Sequence, residues 1–454
     1  MTDFRTHASR RGGRLDLRHL LLLPLALLLG TGSAEAQGTV EIDSRIQEMV
    51  AQVSVENLEH LVTTLASFET RNTLSSVDDP DRGIGAAREW MVQELQGYSS
   101  RLQVGLDCYD VAASGRITRD VEICNVKAVL PGRTDRRVYV SGHYDSVAQI
   151  PSDAEGEWPE GDNPAPGAND DASGTAVAME LARVLSQSGL EFDATLVFIG
   201  FAGEEQGLFG ARLHAKRALD EGIQIDAVFN NDIVGNIRAG DGQINGTAVQ
   251  VFAPGPDDSP ARTLARYAYR FGKAYMPHHD IRLVGREDRF GRGGDHTPFN
   301  YWGFAAVRFT EVMENYARQH TVDDTADGVY FPYLARNARV NMGGVASLAL
   351  APEAPDVNSP NGNPRLTRGE SRYAAHLEWE PSQGATSYRV FIRDGWSMDW
   401  QQVYEVGNVT EYTFEGLSID EHFFAVAAVG PDGHESLASP YDRPPRVIEE
   451  VETR

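Results

Sequence analysis

The sequence is poor in positive charge, in cysteine and in long hydrophobic segments. Lys and Arg total 41 against 66 Asp and Glu among 454 residues, which gives a formal net charge of −25 at pH 7. A surface of that sign repels phosphate groups, so we expect no nucleic-acid partner. Beyond residue 36 no segment is long and apolar enough to cross a bilayer, so we expect no stable membrane span.

The first 36 residues have the three parts of a signal peptide. The start of the chain is rich in arginine, and a short apolar run follows at positions 20–29. Ala34-Glu35-Ala36 then has the small residues that a signal peptidase cleavage site requires. The apolar run, about ten residues, is too short for a membrane anchor. The sequence therefore predicts that residues 1–36 are a signal peptide and that the protein is exported, either secreted or periplasmic.

The chain has two cysteines, Cys108 and Cys124. Residues 102–112 and 116–130 have the pattern of two strands joined near Ser114-Gly115. In an antiparallel hairpin the two cysteines, symmetric about residue 116, would be cross-strand neighbours. We therefore predict a Cys108–Cys124 disulfide, which suits an oxidising compartment. The alternative is two separately buried thiols.

The order of elements predicts a large α/β domain followed by a small β domain. Strands alternate with helices from residue 137 to 350, which predicts a three-layer αβα domain, residues 37–352, with a mostly parallel mixed sheet. Residues 353–364, rich in Pro and Asn, are typical of a linker. Residues 365–454 contain short strands split by turns, which predicts a small all-β sandwich. Its Trp and Tyr positions resemble those of a fibronectin type III module, whose partner stays unknown.

Two acids follow the most apolar of the predicted strands. Residues 195–201 form an unbroken apolar run, typical of a strand buried on both faces, and Gly203 precedes Glu204 and Glu205. Open α/β sheets bind their ligands at the carboxyl ends of such strands. A solvated helix start is the alternative for these two residues, because Glu is favourable in a first helical turn.

Other histidines and carboxylates stand at comparable positions: His143 and Asp145 after the strand at 137–141, Asp170 before a helix, Asp232 after the strand at 225–230, and His320 in a later loop. Two histidines and three carboxylates can hold two divalent ions when one carboxylate bridges them. Mixed nitrogen and oxygen donors suit zinc. A fourth carboxylate is then free to move protons.

These residues lie in six motifs, in one order along residues 45–350, that resemble the M28 family of co-catalytic zinc exopeptidases. The motifs are His-Tyr-Asp-Ser (143–146), Gly-Ala-Asn-Asp-Asp-Ala-Ser-Gly (167–174), Gly-Glu-Glu (203–205), Asn-Asp-Ile-Val-Gly (231–235), Asp-His-Thr-Pro-Phe (295–299) and His-Thr-Val-Asp-Asp-Thr (320–325). The C-terminal module lies outside the resemblance.

The resemblance implies a role for each matching metal ligand. His143 and Asp232 would bind one zinc ion, Glu205 and His320 would bind the other, and Asp170 would bridge the two. The family also places a cis peptide after the bridging acid, here between Asp170 and Asp171.

The resemblance implies roles around the metals as well. Glu204 would be the general base, and Asp145 would orient His143. His296 and Tyr316 are possible residues of a substrate pocket. Some family members carry an aromatic residue directly before the last histidine, where this chain has Gln319, so the group that polarises the scissile carbonyl is open. His278 and His279 match no motif, and we expect both to be ordinary surface residues.

The function that the resemblance implies is a secreted dizinc aminopeptidase acting on peptides or proteins. A glutaminyl cyclase-type acyltransferase with a single zinc and a non-catalytic binding protein on the same scaffold are the alternatives. The motif at 167–174 favours the peptidases over the cyclase. The preferred N-terminal residue, and an exopeptidase specificity other than aminopeptidase, stay open.

Overall fold

A computed structural model describes residues 40–149 and 158–443. The predicted signal peptide lies outside these residues. In the described part of the chain, no helix has the length and apolar character needed to cross a membrane.

An eight-stranded mixed sheet forms the centre of the larger domain. Its strands are β1 (Gln103–Val111), β2 (Val121–Leu130), β3 (Arg137–His143), β4 (Thr195–Phe201), β5 (Ile225–Asn231), β6 (Ala248–Phe252), β7 (Asp280–Val284) and β8 (Ala306–Glu311), in the spatial order β1-β2-β4-β3-β5-β8-β6-β7. The central strands β4, β3, β5 and β8 are parallel to their neighbours in that group, and antiparallel pairs flank them. The predicted fold class is confirmed.

Helices cover both faces of this sheet. They are α1 (Ser44–Gln52), α2 (Val55–Ser67), α3 (Gly83–Tyr98), α4 (Ala172–Gln187), α5 (Phe209–Asp220), α6 (Pro260–Tyr275), α7 (His296–Tyr301) and α8 (Phe331–Ala349). Strand β4 shows why three layers form. Leu196 and Phe198 pack into the core on one face, whereas Val197 and Ile199 pack into the core on the other. A strand that is apolar on both faces needs cover on both sides, because side chains alternate across a sheet.

The two cysteines pair as the hairpin pattern predicts. Strands β1 and β2 are antiparallel, and Cys108 lies directly opposite Cys124 in their register. The structure joins them in a disulfide. The hairpin is at the edge of the sheet, and β2 continues into it by pairing with β4.

The C-terminal strands form two small antiparallel sheets. One contains β9 (Leu366–Thr367), β10 (Ala374–Glu378) and β13 (Glu411–Glu415), and the other contains β11 (Ser387–Asp394), β12 (Gln402–Gly407), β14 (His422–Val429) and β15 (Ser439–Pro440). Leu377 of the first sheet and Val390 of the second share one apolar core with Trp379. The two sheets therefore pack face to face. The likeness to a fibronectin type III module stays a prediction.

A buried charge cluster ties these strands to the larger domain. We call Asp258, Arg266 and Arg393 the Asp258 cluster. Asp258 Oδ1 accepts hydrogen bonds from Arg266 of α6 at 3.0 Å and from Arg393 of β11 at 2.8 Å. All three side chains are at most 3% exposed. Arg393 also stacks on Phe423, with its guanidinium carbon 4.0 Å from the ring centroid.

One predicted surface residue is in the core. His278 is exposed, but His279 is fully buried, so the expectation for His279 is wrong. Its Nε2 lies 2.8 Å from Asn337 Oδ1, and its ring packs edge-on against Tyr333. Burial lowers the pKa of His279 to about 4. The side chain points inward at the entry to β7, a short strand that the polar sequence did not predict.

Candidate active site

Four of the predicted site residues meet because three parallel strands end at one edge. Strand β3 lies between β4 and β5 and is parallel to both. His143 is the last residue of β3, Glu204 and Glu205 follow β4, and Asp232 follows β5. The carboxyl ends of parallel strands share one edge, so their side chains converge there.

Asp170 and His320 complete the cluster from loops. His143 Nε2 lies 3.2 Å from Asp170 Oδ1 and 3.8 Å from Asp232 Oδ1. His320 Nε2 lies 3.0 Å from Asp170 Oδ2 and 3.2 Å from Glu205 Oε2. These residues form two groups of three potential ligands: His143, Asp170 and Asp232 in the first, and Asp170, Glu205 and His320 in the second. Asp170 belongs to both groups, with Oδ1 near His143 and Oδ2 near His320.

This arrangement fits two divalent cations. Each group offers one imidazole nitrogen and two carboxylate oxygens, a donor set that suits zinc. Glu205 Oε1 is buried and has no hydrogen-bond partner among the described residues. An unpartnered buried carboxylate oxygen is costly without a cation. Burial, together with the nearby carboxylates of Asp170 and Glu204, raises the pKa of Glu205 well above its ordinary value, as expected when acids gather without a counter-charge.

The surrounding backbone fixes Asp170 in place. The backbone N–H groups of Asn169 and Asp170 donate to the two carboxylate oxygens of Asp324, at 3.0 and 2.9 Å. The peptide bond between Asp170 and Asp171 is cis, as the resemblance implied. Asp171 caps α4 through the N–H of Gly174. Sequence reasoning assigned no role to Asp324, although it lies in the same motif as His320.

Asp145 contacts more of the site than expected. The nearest acceptor for His143 Nδ1 is the backbone carbonyl oxygen of Asp145 at 3.1 Å, while its carboxylate Oδ1 is 3.6 Å away. The same carboxylate accepts the backbone N–H groups of Glu204 and Glu205 at 3.1 and 3.2 Å. Asp145 therefore holds the turn that carries both glutamates, and the orienting role implied by the resemblance stays a prediction.

Glu204 lines an open cavity together with the potential ligands. The cavity has a volume of about 480 Å³ and includes His143, Asp170, Asp232 and His320 in its wall. Burial raises the pKa of Glu204 to about 7. The charge of His143 opposes this increase, and the charges of nearby carboxylates such as Asp232 add to it. Glu204 is placed beside the potential ligands, where a carboxyl group could accept and return a proton.

Arg308 is a site residue that sequence reasoning missed. Its guanidinium is fully buried, and Nη2 lies 2.9 Å from Asp232 Oδ1 while Nη1 lies 2.5 Å from Asp288 Oδ2. The positive charge of Arg308 thus balances the negative charge of Asp232, a potential metal ligand. A signal was available, because an arginine within the apolar strand β8 requires a buried partner.

The residues expected near a substrate pocket lie in different surroundings. His296 is fully buried at the start of α7, with Nε2 2.7 Å from the carbonyl oxygen of Glu287. Tyr316 is largely exposed and is not among the residues that line the cavity. Gln319 Nε2 donates to Asp170 Oδ2 at 3.0 Å, so it contacts the shared carboxylate. The substrate roles of His296 and Tyr316 stay predictions.

Comparisons with known proteins indicate the family of this chain. The model of peptidase family M28 matches residues 125–343, which contain the five potential ligands and Glu204. A probable zinc metalloprotease of Leptosphaeria maculans is 36% identical over 435 residues, covering 87% of this chain and 96% of that protein. The chain belongs to peptidase family M28. A second probable zinc metalloprotease, from Pyrenophora teres f. teres, is 36% identical over 442 residues and covers 87% of this chain and 86% of its own.

Solved structures of other proteins share the fold of this M28 peptidase. Legionella pneumophila LapA aminopeptidase has a TM-score of 0.53 at 19% identity, covering 70% of this chain and 78% of that one. Fimbriiglobus ruber glutaminyl cyclase has a TM-score of 0.51 at 18% identity, covering 65% of this chain and 95% of that one. Both an aminopeptidase and a cyclase thus share the fold, so the fold alone does not separate these two activities.

Proposed function

We propose that this M28 peptidase is an exported dizinc aminopeptidase that removes N-terminal residues from peptides or proteins. The observation that carries the proposal is the pair of ligand groups that share Asp170 in one cavity with Glu204. Each of the two groups has three potential ligands within reach of one ion. The curated relatives are described as zinc metalloproteases, which supports the choice of metal.

In this proposal His143 and Asp232 would hold one zinc ion, Glu205 and His320 would hold the other, and Asp170 would be shared by both. Bound zinc would act as a Lewis acid toward the peptide carbonyl and would make the attacking water more acidic. Arg308 contributes by holding the Asp232 carboxylate in position, because its guanidinium contacts Asp232 Oδ1.

Glu204 supplies the proton transfers. Its carboxylate takes a proton from the attacking water and later gives it to the nitrogen of the departing peptide. The turn that carries Glu204 is fixed by the bond from its backbone N–H to Asp145. That bond holds the side chain at the cavity wall, beside the ligands, where both transfers must occur.

The proposed export rests on the N-terminal pattern and on the disulfide. The Cys108–Cys124 bond suits an oxidising compartment and would be at risk of reduction in a reducing one.

The test is a release assay on aminoacyl anilides, matched N-acetylated anilides and peptides with N-terminal glutamine, combined with metal analysis of the purified protein. We expect release from the unblocked substrates only, loss of activity with a chelator, recovery with zinc, and two zinc ions per chain. Cyclisation of N-terminal glutamine with one zinc per chain would identify a cyclase instead. Two bound zinc ions without hydrolysis of any unblocked substrate would favour a binding protein.

A further inference from the structure

An apolar groove lies next to the catalytic cavity, between α5 and α7. Its volume is about 730 Å³, and its lining is mostly apolar and aromatic: Leu208, Phe209, Leu213, Pro298, Tyr301 and Trp302. Tyr301 is 78% exposed, although its ring packs edge-on against that of Trp302. Contiguous apolar surface of this kind on a charged protein marks a site of interaction.

The groove and the catalytic cavity share a wall. Gly207 and Leu208 line both of them. The N–H groups of Gly207 and Leu208 each donate to the carbonyl oxygen of Glu204 at 2.9 Å, so the proposed base and this wall belong to one tight turn. A ligand that extends from the cavity past Glu204 therefore reaches the groove along this shared wall.

Arginine side chains lie in and beside the apolar groove. Arg212 belongs to the groove and forms no ion pair with any residue in the described ranges 40–149 and 158–443. Arg116 and Arg292, which line the adjoining cavity, likewise lack a carboxylate partner in those ranges. The lining of the groove itself includes two cationic residues, Arg212 and Lys216, and no carboxylate, although the chain as a whole is strongly acidic. An occupant with both apolar groups and carboxylates would complement it.

We propose that the groove is a substrate subsite that binds an apolar or aromatic side chain of the peptide, with an acidic residue beside it, downstream of the bond that is cut. This inference rests on the proposed aminopeptidase function. In an aminopeptidase only one residue precedes the cleaved bond, and the cavity holds that residue. Any further part of the substrate lies on the leaving side, and the groove is the apolar surface continuous with the cavity.

The first test compares substrates that do and do not reach the groove. A suitable pair is X-Ala-Phe-Glu-Ala and X-Ala-Ser-Gln-Ala, where X is the residue released fastest from its anilide. Since burial of one aromatic side chain contributes strongly to binding, we expect at least about a tenfold lower KM for the first peptide. The anilide of X, which ends at the cavity, should not show this gain.

The second test uses variants of the groove. Tyr301→Ser removes an exposed ring, and Leu213→Asp places a charge on the apolar lining. Both should raise KM for the Phe-Glu peptide toward the value for the Ser-Gln peptide, while kcat and the kinetics of the anilide stay unchanged. Arg212→Glu should remove the advantage of Glu over Gln in the fourth position. Tyr373→Ser, which removes a ring that is 79% exposed before β10, is the matched control and should change nothing.

Calorimetric titration of the Glu204→Gln variant with both peptides separates this inference from the proposed function, because binding needs no turnover. Tighter binding of the Phe-Glu peptide that Tyr301→Ser weakens supports the subsite, even if no substrate is hydrolysed. Equal affinity of the two peptides overturns it, even if anilides are hydrolysed. A shift in sedimentation of Tyr301→Ser from dimer to monomer would assign the groove to a second copy of the chain and would also overturn the proposal.

Discussion

Replacement of Asp258 tests how firmly the C-terminal strands are attached to the peptidase domain. Its carboxylate is 2% exposed and lies within 3.0 Å of nitrogens from both Arg266 and Arg393. Asp258→Ala would leave two buried guanidinium groups without their main counter-charge. Removal of one partner from a buried ion pair typically costs about 3–5 kcal/mol. We expect the low end of that range, because Asp257 Oδ2 remains 2.7 Å from Arg393.

Equilibrium unfolding in urea, followed by tryptophan fluorescence and by circular dichroism, would measure this loss. Trp379 and Trp400 report on the C-terminal strands, since both are buried there. Asp257→Ala is the matched control: its side chain is 42% exposed, so we expect a loss of about 1 kcal/mol or less. Equal losses for the two variants would refute the reasoning that burial of Asp258 determines the effect. Anilide hydrolysis should persist in both variants under native conditions, since neither residue lines the catalytic cavity.

Three further predictions concern proton transfer, the disulfide and a buried histidine. Glu204→Gln should keep the bound metal but lower kcat by several powers of ten, and the loss of proton transfer explains a factor of about 10²–10⁴ of this decrease. A variant that retains a tenth of the activity would exclude Glu204 as the base. Replacement of Cys108 and Cys124 by Ala should lower the free energy of unfolding by about 3 kcal/mol, given a loop of 16 residues, and alkylation of both sulfurs in unfolded, unreduced protein would contradict the bond. The pKa of His279 is about 4 in the folded protein, below the ordinary 6.5, so between these pH values the unfolded chain binds a proton that the folded chain does not. The free energy of unfolding therefore decreases as the pH is lowered from 6.5 to 4, by up to about 1.4 kcal/mol per pH unit. His279→Gln should flatten the profile of unfolding free energy between pH 6.5 and 4, and an unchanged slope would show that another group is responsible.

The sequence alone determined the parts of this protein that follow from local pattern. The alternation of apolar strands and amphipathic helices predicted the α/β domain, because each element shows its period within its own residues. The symmetric positions of Cys108 and Cys124 predicted their pairing, since an antiparallel register is fixed by the turn. The residues of the proposed metal site were predicted for a related reason. His143, Glu205 and Asp232 stand directly after apolar runs, and parallel strands bring such ends together.

The tertiary structure decided the partners of groups that lie far apart along the chain. Arg308 faces Asp232 across 76 positions, and Asp324 binds the backbone of Asp170 across 154. No local pattern links such pairs, because they meet only after the strands and loops have packed. His279 is buried for the same reason: its own neighbours are polar, and the core that surrounds it is built by α8. The groove beside Glu204 likewise exists only where α5 and α7, separate in sequence, lie against the same sheet face. Local periodicity thus determines which elements form and where their ends lie, whereas the charge partners and surfaces between elements depend on packing over long sequence separations.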